Sequence, residues 1–109
     1  MKTMNIKLLA VAGTLAVVLM APLPAPGQNA AATYKAKCAG CHGADGKGNT
    51  GPGKALGVHD FSSAEVTRMS DADLIAIVTT GKNKMPAYGK SLKDADIKEL
   101  VTFIRGLSK

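Results

Sequence analysis

The sequence predicts a small all-α domain behind a cleaved N-terminal leader. Three observations predict it. An uncharged stretch near the N-terminus ends in a cluster of prolines. Apolar residues recur at helical spacing in the second half of the chain, around Leu74–Val78 and Ile97–Leu107. No segment carries the alternating pattern of a strand. The chain has 109 residues, 20% of them charged and 4% aromatic, with no Trp. That length allows one domain and excludes large α/β enzyme architectures. Two cysteines permit one bridge at most, which excludes a disulfide-dense scaffold.

The leader comes first. Lys2 and Lys7 give a positive start, and Leu8–Ala21 run for 14 residues without a charge. A bilayer span needs about 20. Pro22, Pro24 and Pro26 stop any helix, and small residues follow at Ala25, Gly27 and Ala30–Ala32. This is the order of a secretory signal over residues 1–27, cut somewhere between 27 and 33, with an uncleaved anchor as the alternative. The remaining domain, 30–109, keeps 12 basic and 8 acidic residues, a net charge of +4. About 80 residues build a marginal core, so a bridge, a metal or a cofactor is expected to complete it.

Three helices are predicted in the mature part. The first, about Ala30 to Ala39, is rich in Ala and Lys, with Tyr34 as its one aromatic. Ser70–Asp73 reads as a capping box with Asp in place of Glu, opening a second helix that Gly81 closes. The third, about Asp94 to Leu107, puts Ile97, Leu100, Val101, Ile104 and Leu107 on one face; Ser91 and Asp94 are its candidate caps. Between the first and second helices the Gly-rich stretch 40–57 reads as a long loop, and 58–69 as weakly helical at best. A loop that long in a compact domain is usually functional.

The chemistry lies at the start of that loop. Cys38-Ala39-Gly40-Cys41-His42 is C-x-x-C-H, the covalent haem attachment pattern. Thiols three apart share one face of a helical turn and can reach two vinyl groups on one porphyrin edge. His42, four residues after Cys38, can then reach the iron. A thioredoxin-like dithiol would follow a strand, and a zinc site needs about four ligands from a chain with two Cys and two His. A lone Cys38–Cys41 disulfide is the plain alternative. The appended His, the export signal and the small core favour haem.

The chain resembles the small soluble bacterial class I cytochromes c over about residues 30–107. Beside Cys38–His42, the loop Gly81-Lys82-Asn83-Lys84-Met85-Pro86-Ala87-Tyr88 matches that family's sixth-ligand loop, and Asp96–Arg105 its last helix. The resemblance implies a helical shell around one haem c per chain, with the first and last helices crossing so that Ala30 and Tyr34 meet Leu100 and Phe103. It also implies that the Pro52 carbonyl accepts from the Nδ1–H of His42. Lys93, where the family often has a capping Ser or Thr, and the missing Trp are departures that leave haem binding intact.

After cleavage Met69 and Met85 are the remaining thioethers. Met85 sits on a loop ahead of Pro86 and is the better sixth ligand, since Met/His ligation is the usual pairing. Met69 reads as core, and His59 as a partly exposed loop residue. Tyr88 and Phe61 could line the pocket, Tyr88 with a bond to a propionate. Gly46–Gly51 and Gly48–Lys54 imitate nucleotide-binding loops, but neither follows a strand and Ala55 stands where Ser or Thr is needed.

The reading is an exported, periplasmic, monomeric one-electron carrier cycling between Fe(II) and Fe(III), with no catalytic residues. Its partners are redox proteins with acidic docking surfaces. Nucleic acid is disfavoured, and stable membrane insertion is not expected after cleavage. A haem enzyme or gas sensor with a labile Met85, or an anchored oxidoreductase subunit, are the alternatives.

Overall fold

The computed structural model describes residues 12–21 and 28–109. Among these residues six helices follow one another: α1 Gln28–Lys37, α2 Ala39–His42, α3 Gly51–Leu56, α4 Ala64–Thr67, α5 Asp71–Thr80 and α6 Asp94–Leu107. There is no strand among the described residues, only an isolated bridge between Lys82 and Met85. The all-α class predicted from the sequence holds. Of the leader, Lys2, Lys7 and the prolines 22, 24 and 26 lie outside the described residues. Residues 12–21 form no helix, and their apolar side chains are exposed, Leu15 by 89% and Leu19 by 91%. No helix among the described residues is long and apolar enough to cross a membrane.

The core lies where α1, α5 and α6 meet. Ile97, Leu100, Val101 and Ile104 are the buried stripe of α6, and Leu74 and Val78 that of α5. Ala30 and Tyr34 of α1 are buried in the same cluster as Leu100. Tyr34 lies 5.2 Å from Phe103, ring centre to ring centre. The crossing of first and last helices is therefore present, with the small Ala30 letting the two backbones approach. Arg105 joins α6 to the α4–α5 corner, donating to the Asp71 carboxylate at 3.0 Å and to the carbonyls of Val66 and Met69.

Local signals behave as their chemistry requires at α5. The Ser70 hydroxyl accepts from the Asp73 N–H at 3.0 Å, and the Asp73 carboxylate accepts from the Ser70 N–H at 3.2 Å. Two expectations need correction. Lys93 is the N-cap of α6, and no side chain caps it, neither Ser91 nor Asp94. Asp94 and Asp96 instead sit in the first turn, where carboxylates favour the positive helix end. The Gly-rich stretch is also not all loop. Its second half is α3, because Thr50 caps the Gly53 N–H at 2.8 Å and Pro52 falls in the first turn, where its missing N–H is no loss. Gly57, in the left-handed conformation, ends it.

Candidate functional site

The site starts with one helical turn. Cys38 caps α2, and its carbonyl accepts from Cys41 N–H at 3.2 Å and His42 N–H at 3.0 Å. The three-residue and four-residue spacings of the motif are thus real neighbours on a turn. Both thiols are free, so the disulfide alternative is not formed. Burial pushes the Cys38 thiol up, against the pull of Lys37, and keeps it protonated.

Two devices hold this turn. The Thr50 hydroxyl donates to the Cys41 carbonyl at 2.7 Å while it caps α3. Gly53 is buried so close that a Cβ there would lie 2.3 Å from the Cys41 oxygen. Further on, the Tyr34 hydroxyl donates to the Gly43 carbonyl at 2.6 Å, and burial raises its pKa to about 12. Phe61 stacks on His42 with ring centres 4.8 Å apart and reaches Tyr34 edge-on at 6.4 Å.

Met85 comes from the other half of the chain. Lys82 and Met85 exchange backbone bonds of 3.2 and 2.9 Å across a turn in which Asn83 adopts φ 53°. Asn is among the few residues that tolerate that region. Beyond the turn, Tyr88 and Gly89 N–H groups donate to the Val78 and Thr79 carbonyls at the end of α5, at 2.9 and 3.0 Å. The Tyr88 hydroxyl donates to the Lys37 carbonyl at 3.1 Å.

These pieces enclose one cavity of about 410 Å³, within the usual range for a cofactor site. Cys38, Cys41, His42, Met85 and Tyr88 all line it, among apolar neighbours such as Ile77, Val78, Leu100 and Ile104. The rivals Met69 and His59 line it as well. Met69 packs on the core, while His59 is 61% exposed and paired with Glu65 at 3.2 Å. Pro52 does not line the cavity. It is exposed in α3, and the expected bond to its carbonyl is not made: Nδ1 of His42 is buried without a partner. Burial lowers the His42 pKa and holds the imidazole neutral, the form that ligates a metal.

A haem fits these residues. Two thiols, a neutral imidazole and a thioether converge on one apolar cavity, and a small fold otherwise has no use for such a hollow centre. Phe61 lines the cavity as expected, but three features escaped the sequence reading: the start of α3, the stack of Phe61 on His42 and the Tyr34 bond to Gly43. Thr50 followed by Pro52 is a legible helix start that the surrounding glycines masked. Phe61 and Tyr34 meet the motif only through the tertiary fold, from 19 residues after His42 and 9 before Gly43 respectively.

Comparison with known proteins agrees with this geometry. A family model described as cytochrome c oxidase, cbb3-type, subunit III matches residues 25–104. Cytochrome c6 of Rippkaea orientalis is 37% identical over 90 residues, which cover 80% of this chain and 78% of that protein. The cbb3-type cytochrome c oxidase subunit CcoP of Azospirillum brasilense is 33% identical over 76 residues, 68% of this chain but 26% of CcoP. Among solved structures, KustC0563 c-type cytochrome superposes with a TM-score of 0.67 at 32% identity, covering 73% of this chain and 98% of that one.

Proposed function

The chain belongs to the class I c-type cytochromes, monohaem electron carriers rather than enzymes, and from that premise we propose which of its residues do the work. Cys38 and Cys41 hold the haem through thioether bonds, while His42 and Met85 are the axial ligands. The bound haem supplies the one-electron Fe(II)/Fe(III) couple. The protein residues fix its place, exclude water with the α5 and α6 side chains, and occupy both axial positions so that no site is left for substrate. The observation that carries this reading is the convergence of Cys38, Cys41, His42 and Met85 on one cavity. Pairing of His59 with Glu65 supports Met85 over the second histidine.

The test is ligand removal. Met85→Ala should lower the midpoint potential, since a thioether favours the reduced iron, and abolish the weak sulfur-to-iron absorption of the oxidised protein. His59→Ala and Met69→Leu should leave spectrum and potential nearly unchanged. Loss of the sixth ligand in His59→Ala would instead make the protein a bis-histidine carrier.

The leader pattern supports export to the periplasm with removal of residues 1–27, and the exposed, non-helical 12–21 supports a segment outside the folded domain. N-terminal sequencing of the native protein should find a start between 28 and 34; a start at Met1 would mean a retained leader. Redox proteins are its partners. We assign them acidic docking surfaces, and the carrier a monomeric state, because Lys82, Lys84 and Lys90 surround the Met85 loop and are all exposed.

A further inference from the structure

The loop that carries Met85 leaves α5 and returns to begin α6. Its backbone bonds tie it to itself and to α5: the Lys82–Met85 pair, Tyr88 to Val78, and Gly89 to Thr79. None of these reaches the wall that carries Cys38 and His42. Among the described residues, a single hydrogen bond joins residues 81–93 to residues 28–69. It runs from the Tyr88 hydroxyl to the Lys37 carbonyl, 3.1 Å away and 51 residues distant in sequence. Lys37 ends α1 immediately before Cys38, and Tyr88 lies three residues beyond Met85. Both residues border the cavity.

We propose that Tyr88 is a positioning residue for Met85: its hydroxyl clasps the Met85 loop to the carbonyl preceding Cys38 and keeps the thioether seated on the iron. The clasp rests on the reading of Met85 as axial ligand. Its logic is mechanical. Met85 is half-buried, whereas Lys84, Pro86 and Ala87 are exposed, so little apolar packing resists an outward swing of this segment. The α5 bonds leave such a swing possible, because they move with α5 and not with the cysteine wall. Besides the thioether–iron bond itself, the Tyr88 hydroxyl bond is the one hydrogen bond among the described residues that must break for this loop to leave the cysteine wall. An incoming ligand binds only the open form, so its apparent affinity scales with the open fraction. Removing one hydrogen bond should raise that fraction about fivefold.

The experiment uses the oxidised holoprotein and imidazole as the probe. Tyr88→Phe keeps the ring as cavity wall and removes only the hydroxyl. Imidazole should then bind about fivefold more tightly than to wild type, and the midpoint of thermal unfolding should fall by about 5 °C, the same free energy read against the unfolded chain. Tyr34→Phe is the structural control. It loses a buried bond on the cysteine wall, so it should lower thermal stability and leave imidazole affinity where it was. Met85→Ala separates the two hypotheses. If Met85→Ala binds imidazole far more tightly than wild type while Tyr88→Phe matches wild type within twofold, the clasp is wrong and the ligand stands. If Met85→Ala itself matches wild type, Met85 is not the displaced ligand and the underlying reading falls. Equal tightening in Tyr34→Phe and Tyr88→Phe would also overturn the clasp, since general loosening would then explain it.

Discussion

The wall of the cavity that carries Cys38–His42 and the wall that carries Met85 are held by different means. On the first, backbone packs directly on backbone: Gly53 sits against the Cys41 carbonyl, Thr50 donates to that same oxygen, and Phe61 stacks on the His42 ring. Tyr34 adds a buried hydroxyl bond from α1 to Gly43. On the second, an exposed loop is pinned by main-chain bonds to the end of α5 and by one tyrosine hydroxyl. The difference suits the tasks assigned to each. A wall that bonds covalently to its cofactor must hold two thiols and an imidazole in fixed register. A wall that supplies one thioether needs only to be closed most of the time. Close packing gives the first its rigidity, and exposed hydrogen bonds give the second its capacity to open locally.

A matched pair of glycine substitutions tests that contrast, and the larger effect should come from the cysteine wall. In Gly53→Ala the new Cβ would press on the Cys41 oxygen at 2.3 Å and the Gly48 oxygen at 2.5 Å, neither of which can swing aside. Such overpacking should cost about 3 kcal/mol, more than 10 °C in the unfolding midpoint of a domain this size, and reduce covalently bound haem per chain. Gly81→Ala strains the Met85 wall instead. Gly81 has φ 75°, and its Cβ would lie 2.7 Å from the Met85 carbonyl. The cost should be about 2 kcal/mol, relieved by displacement of the loop. Haem content should then stay normal while the sulfur-to-iron absorption weakens. Spectrophotometry and thermal melts of the two variants check this; equal haem loss in both would mean that the walls do not differ as described.

Much of the molecule was legible before the structure, and the reason is locality. The C-x-x-C-H turn is contiguous, the α5 capping box lies within four residues, and the α6 stripe repeats at helical spacing over eleven. Features that join distant segments were not legible. Tyr88 meets Lys37, and Arg105 meets the Val66 and Met69 carbonyls, only after the chain has turned back on itself. Composition also misled at α3, where glycine content hid a capped helix. At Pro52 the family resemblance implied an acceptor for His42, yet the proline is exposed and its neighbour Gly53 makes the close contact. Lys93 caps α6 with backbone alone, because the acidic first turn already favours that helix end.

The smallest effect on the molecule itself should come from charge on the exposed loop, although it bears on function. Lys82 and Lys84 flank the Met85 turn, Lys90 follows it, and none is ion-paired among the described residues. Lys84→Glu should therefore change stability by less than about 0.5 kcal/mol, as surface substitutions usually do. Encounter with an acidic partner is another matter. Attraction between exposed charges fades beyond a Debye length, about 10 Å at 0.1 M salt, so bimolecular electron transfer should slow as ionic strength rises. Lys84→Glu should slow it further at low salt and converge with wild type at high salt, because the substituted charge acts on encounter rate and not on the iron. Stopped-flow reduction over a series of salt concentrations reads both effects. A wild-type rate that ignores salt would place docking on another face. A substitution away from the cavity, Lys35→Glu on the exposed side of α1, gives the comparison its last edge. If it slows transfer as much as Lys84→Glu, the positive charge acts as a whole-molecule field and the Met85 wall has no special part in docking.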